Sequence, residues 1–245
     1  MDINSAINKL KDNIGERAYK LLNQEKSIFI EFRPEGKSYE FILAGNSLNE
    51  GTVNDLDIYG AGYNIKDKMG LDNLENKKII FRSKNACSVK GKQYKIQFCS
   101  YFKPALSILV ENFDFSKIQV GVRVEFTESE TFDIKEVYVS EAYLEWKFFN
   151  SFTYVGSEYP LSSLFRLFKY FKREDCSKKE RNICILKIIK DVLERGFADY
   201  DDYKDQLDAI DLMMLPDSQE AFELYQTLEK INLVKEKRFV EFDDW

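Results

Sequence analysis

Residues 41–59 read FILAGNSLNEGTVNDLDIY, and this stretch constrains the chain more than any other. An apolar run ends at Gly45-Asn46-Ser47, and after a polar spacer Asp55-Leu56-Asp57-Ile58 begins a second run. Side chains at i and i+2 of a strand share a face, so Asp55 and Asp57 stand together while Leu56 and Ile58 point into a core. Two adjacent carboxylates repel each other and are costly to bury. A divalent cation between them removes that conflict, and Mg²⁺ is commonly held by one or two carboxylates plus substrate phosphates. The small turn at Gly45 leaves room for phosphate oxygens to reach backbone N–H groups.

Composition narrows the chemistry further. The chain has 245 residues, 44% of them hydrophobic and 15% aromatic, enough for one large domain or two small ones with a sizeable core. Histidine is absent, which excludes Ser-His-Asp triads, Cys-His dyads and a histidine general base. The cysteines at 87, 99, 176 and 184 form no CxxC pair, so a zinc site is not expected and reduced thiols in a cytoplasm are. Carboxylate–metal chemistry is the strongest that remains. The opening MDINSAINKLKDNIGE has no long apolar core, and no stretch approaches a membrane span, so a cytoplasmic protein without membrane contact is expected. A net charge of −6 argues against a broad nucleic-acid coat. The charge is uneven, because residues 164–195 carry ten Lys or Arg against five acids, while 199–211 reads DYDDYKDQLDAID.

Periodicity predicts a helix over 3–23 and strands at 27–33 and 39–44, joined by a turn at 34–37. Strands are expected at 55–59, 78–82, 86–89, 93–99 and 113–126, a short helix at 104–112, and a helix within 134–150. After residue 160 strand signals stop, and helices are expected at 161–173, 178–195, 200–211 and 217–231, with EFDDW as a tail. In the helix 161–173, Leu161, Leu164, Phe165, Phe168 and Phe171 form the expected core face. Arg166, Lys169 and Arg173 share another side, which suits either a phosphate or solvent.

The order of hydrophobic strand, Gly-x-Ser, spacer and Asp-x-Asp (Gly45, Ser47, Asp55 and Asp57) resembles the signature of the DNA polymerase β-like nucleotidyltransferase superfamily. Four further pieces, NACSVKGKQYKIQF, ENFDFSKIQVGV, YVGSEYPLSSLFRLFKYFKRE and DYKDQLDAID, resemble nucleotidyltransferase-like proteins of phages and bacteria in the same order. The resemblance covers roughly residues 40–215. It implies an α+β fold, with a nucleotidyltransferase palm and N-terminal helix over 1–152 and a helical C-terminal domain over 153–245.

It also implies a function: metal-dependent transfer of a nucleoside monophosphate from an NTP to an acceptor hydroxyl on RNA, a nucleotide, a small molecule or a protein. Asp55 and Asp57 would hold Mg²⁺ or Mn²⁺. Gly45, Asn46 and Ser47, with Arg166 and Lys169, would hold the nucleotide. Active members of the superfamily add a third carboxylate from a neighbouring strand, and there this chain reads Ile96-Gln97-Phe98. Asp114 is the expected substitute, with Glu125 behind it. If neither reaches the pair, the alternative is an inactive module that binds nucleotide, RNA or a protein partner. The sequence does not fix the oligomeric state.

Overall fold

The computed structural model describes residues 2–33, 36–71, 78–82, 86–173, 175–199 and 202. The chain divides into two compact units, Met1–Ser151 and Phe152–Trp245. The first unit opens with helices α1 (Ile3–Gln24) and α2 (Lys26–Glu31) and strand β1 (Tyr39–Ala44). A short 3-10 turn, Asn46–Leu48, leads to β2 (Asp55–Ala61), α3 (Ile65–Lys68), β3 (Ile79–Arg82), β4 (Ala86–Lys90) and β5 (Lys95–Lys103). Helix α4 (Leu106–Glu111), a second 3-10 turn at Ser116–Ile118, β6 (Val120–Phe126), β7 (Phe132–Val139) and α5 (Glu141–Phe149) complete it. The strands form one seven-stranded sheet in the order β3-β4-β5-β2-β1-β6-β7. All neighbours run antiparallel except β2 and β5, which are parallel. The fold class is α+β.

Both faces of β1 are covered, which explains its nearly unbroken apolar run. Phe41 and Leu43 enter the main core with Leu21, Leu22 and Phe29 from the N-terminal helices. Ile42 and Ala44 face the other way, against Leu106, Leu109 and Val110 of α4. Close approach of α4 depends on Gly121 of β6, where an added Cβ would lie 2.7 Å from Val110 Cγ2 and 2.8 Å from Leu106 Cδ1. The N-terminal helices are tied to the sheet by Glu25, which is fully buried. Its carboxylate accepts backbone N–H bonds from Lys92 (2.5 Å), Gln93 (2.5 Å) and Tyr94 (2.8 Å), the turn that feeds β5.

Four expectations need correction. Residues 27–33 are not a strand, because Lys26–Glu31 is helical and buries Ile28 and Phe29, with Phe32 a turn later. The long strand expected over 113–126 begins only at Val120, after the 3-10 turn. Residues 132–139 form a strand that the sequence reading left out. Its register slips opposite Arg123 and Val124, so the core residues Ile134 and Val137 fall three apart and break the alternation.

The fourth correction lies in the second unit, where α6 (Pro160–Lys172) and α7 (Lys178–Arg195) pack together. Pro160 opens α6, and a Ser177–Glu180 capping box opens α7. The buried positions of α6 include Ser162, Ser163, Phe165, Leu167 and Tyr170, while Phe168 is 42% exposed, so the buried face is not the one expected. The helices expected at 200–211 and 217–231 and the tail EFDDW lie outside the described residues, apart from Asp202, which pairs with Arg195 at 2.9 Å. Among the described residues no helix is long and apolar enough to cross a membrane.

Candidate functional site

Burial alternates along β2. Leu56 and Ile58 are fully buried, while Asp55, Asp57 and Tyr59 are half-buried on the opposite face. Asp57 lies opposite Ala44, the last residue of β1, so its side chain stands beside the turn that follows. Gly45 takes φ 89 and ψ −152, a conformation that side-chain-bearing residues rarely adopt. A Cβ placed there would sit 3.8 Å from Asp57 Oδ2. The Gly45 N–H is donated to Val120 O at 2.9 Å. Backbone donors for an anion therefore fall to Asn46 and Ser47, the first residues of the 3-10 turn.

Ser47 is 5% exposed, and its Oγ has no hydrogen-bond partner among the described residues. A buried hydroxyl left unsatisfied costs about 1–3 kcal/mol, so such an atom calls for a reason. The loop that carries it is held firmly. Arg17 of α1 donates from Nε to Ser47 O at 2.8 Å and from Nη2 to Gly51 O at 3.2 Å. Asn49 donates to Lys117 O at 2.9 Å and accepts from the Tyr143 hydroxyl at 2.8 Å.

The parallel partner β5 sets Lys95 opposite Asp55 and Gln97 opposite Asp57. Lys95 Nζ lies 3.4 Å from Asp55 Oδ2. One strand further, Ser88 lies opposite Gln97 and is buried. Cys99 follows on the same side of β5, opposite Tyr59. Burial pushes its thiol well above the usual range, and the Asp57 carboxylate pushes the same way.

Asp114 is buried in the loop between α4 and the second 3-10 turn, one residue after Phe113, whose ring lies 5.8 Å from that of Tyr59. Among the described residues, no three His, Cys, Asp or Glu side chains come together in a group able to hold a metal ion. Asp114 therefore does not complete a carboxylate trio with Asp55 and Asp57. Glu125 does not either, because it lies opposite Glu40 at the far end of β1 and pairs with Lys135 at 2.8 Å. Two carboxylates on one face still satisfy Mg²⁺, which completes its shell with water and phosphate oxygens. Arg166 and Lys169 belong to α6 in the second unit, where Arg166 Nη2 donates to Ser162 Oγ at 3.2 Å. Lys95 and Arg17 were missed from sequence. Lys95 gains its place only through a parallel pairing, and Arg17 only through the docking of α1.

The sheet, its order and its covering helices define an α+β architecture. No family model and no curated protein sequence matches the chain. Solved structures similar to it include the Thermotoga maritima CCA-adding enzyme complexed with tRNA, at 14% identity and a TM-score of 0.43 over 90% of this chain and 54% of that one. A complex of a CCA-adding enzyme with CTP is similar at 12% identity and a TM-score of 0.45, over 91% of this chain and 55% of that one. A tRNA-processing enzyme in an apo form is similar at 12% identity and a TM-score of 0.40, over 93% and 57%. The chain thus spans little more than half the length of each of these proteins.

Proposed function

We propose that the protein is a metal-dependent nucleotidyltransferase that moves a nucleoside monophosphate from an NTP to an acceptor hydroxyl. One observation carries the reading: the Asp57 carboxylate stands beside Gly45, in a turn whose buried Ser47 hydroxyl has no hydrogen-bond partner among the described residues. Asp55 and Asp57 would hold Mg²⁺ or Mn²⁺. When bound, the ion neutralises triphosphate charge and lowers the pKa of the acceptor oxygen. Ser47 Oγ would donate to a phosphate oxygen, and the N–H groups of Asn46 and Ser47 would add to it. Gly45 keeps a side chain out of the space beside Asp57. Lys95 supplies a further positive charge next to Asp55. Arg166 and Lys169 are proposed phosphate contacts, with RNA or a nucleotide as acceptor and a small molecule or protein side chain as alternatives.

A second reading has its own support. Gln97 stands opposite Asp57, and no third carboxylate joins the pair among the described residues. A module that binds nucleotide without turning it over would look the same. Incubation with α-labelled NTPs, Mg²⁺ or Mn²⁺ and cell extract separates the two. Label transferred by the wild type but not by Asp57→Asn supports the enzyme. NTP and Mn²⁺ binding without transfer supports the module. A protein that neither binds Mn²⁺ nor transfers label overturns both.

A further inference from the structure

A cleft of about 920 Å³ lies between α1, residues 48–53 and α5. None of Asp55, Asp57 and Gln97 lines it. Its floor is apolar, formed by Leu10, Ile14, Leu21, Leu48 and Val53, and its rim carries Lys9, Arg17, Lys20 and Lys147. Two acids also line it: Glu16 pairs with Lys20 at 3.7 Å and Glu50 with Lys147 at 3.7 Å. Lys9 and Arg17 have no carboxylate partner among the described residues. The cleft therefore holds an excess of positive charge above an apolar base.

Arg17 is the central group. Its Nε and Nη2 are spent on the carbonyls of Ser47 and Gly51, and no hydrogen bond among the described residues uses Nη1. The guanidinium is fixed in place by the two bonds it makes. A fixed, half-buried guanidinium with donors left over suits phosphate, which it can bind through parallel N–H bonds.

We propose that this cleft is a second ligand site, for a small phosphate-bearing molecule with a flat apolar body, the chemistry of a nucleotide. The body would lie on Leu10, Ile14 and Val53, and the phosphates would meet Arg17 and Lys9. Because Arg17 also holds the Ser47 carbonyl, occupancy would stiffen the loop that follows Gly45. The inference does not require the transfer reaction.

The test uses ATP with the full-length protein in EDTA, where the carboxylate pair has no cation with which to attract a triphosphate. Isothermal titration calorimetry at low salt should show one ATP per chain, with affinity falling as salt rises. Lys9→Glu/Lys20→Glu, two exposed changes that leave the loop bonds intact, should weaken binding at least tenfold, as should Arg17→Gln. Asp57→Asn should leave it unchanged. Hydrogen exchange at residues 47–51 should slow when ATP is added. Absence of binding in EDTA, or binding unmoved by Lys9→Glu/Lys20→Glu, overturns the proposal. Tighter binding in Asp57→Asn also overturns it, because relief of repulsion from that carboxylate places the ATP beside the pair, and it leaves the nucleotidyltransferase reading intact.

Discussion

Glu25 offers the sharpest quantitative test of how this fold holds its site. Its carboxylate accepts three backbone N–H bonds at 2.5, 2.5 and 2.8 Å from the turn that feeds β5. Residues 95 and 97, opposite the two aspartates, follow that turn directly. Glu25→Ala removes the acceptor and leaves three donors facing a fully buried position. Each bond to a charged group contributes roughly 1.5–3 kcal/mol, and water entering the space returns part of that, so a loss of about 3–5 kcal/mol is expected. At about 2–4 °C per kcal/mol for a unit of this size, the melting temperature should fall on the order of 10 °C. Glu25→Gln keeps the shape but turns one oxygen into a donor facing N–H groups, so it should be destabilising too, by less than Ala. Urea denaturation followed by circular dichroism measures both. A loss below about 1 kcal/mol for Glu25→Ala would refute the claim that this carboxylate anchors the β4–β5 turn.

Asp57→Asn should abolish nucleotidyl transfer and weaken Mn²⁺ binding while circular dichroism stays unchanged, since the side chain is half-exposed; paired calorimetry and transfer assays check this. Gln97→Asp places a third carboxylate opposite Asp57, and should tighten Mn²⁺ binding and enlarge the melting shift that Mn²⁺ causes, read by thermal scans with and without the ion. Gly121→Ala forces a methyl against Val110 and Leu106 of α4 and should cost about 1–3 kcal/mol in urea melts. Burial pushes the Cys176 thiol up to about 11 from 9.0, so the folded state holds that proton more tightly than the unfolded state. Its stabilising contribution is complete below pH 9 and fades as pH rises toward 11, and iodoacetamide should label it roughly 100-fold more slowly than a free thiol at pH 8.

The parts of this structure that could be read from sequence are those set by local pattern. Strand β1, with its apolar run stopped at Gly45, and β2, with its alternating Asp55-Leu56-Asp57-Ile58, are visible because each face has a constant neighbour. Helices α1 and α7 show their period and boundary residues, and α6 its boundaries but not its buried face. The sequence misleads where tertiary packing overrides propensity. Ile28, Phe29 and Phe32 look like strand residues, yet Ile28 and Phe29 are buried from a helix and Phe32 joins the same core just after it ends. In the site, the grouping of Gly45 with Asp57 follows from the hairpin-like return of β2 onto β1. The place of Gln97 opposite Asp57 follows only from the superfamily resemblance, and those of Lys95 and Asp114 do not follow from local pattern, since they depend on which strand and loop come to lie beside β2.

The parallel pairing of β2 with β5 has a consequence for how the molecule assembles. No tight turn can join two parallel neighbours, so the chain leaves β2, builds α3, β3 and β4, and only then returns to set Lys95 against Asp55. The loop closed by that contact spans about forty residues, and its entropy must be lost before the contact repays it. The β1–β2 pair can form early from near neighbours in the chain. Until β5 arrives, Asp55 and Asp57 sit on an open sheet edge as two bare negative charges, which discourages pairing with the same edge of another chain. An acidic pair on an edge left open in this way would disfavour its pairing with another chain until the neighbouring strand closes over it.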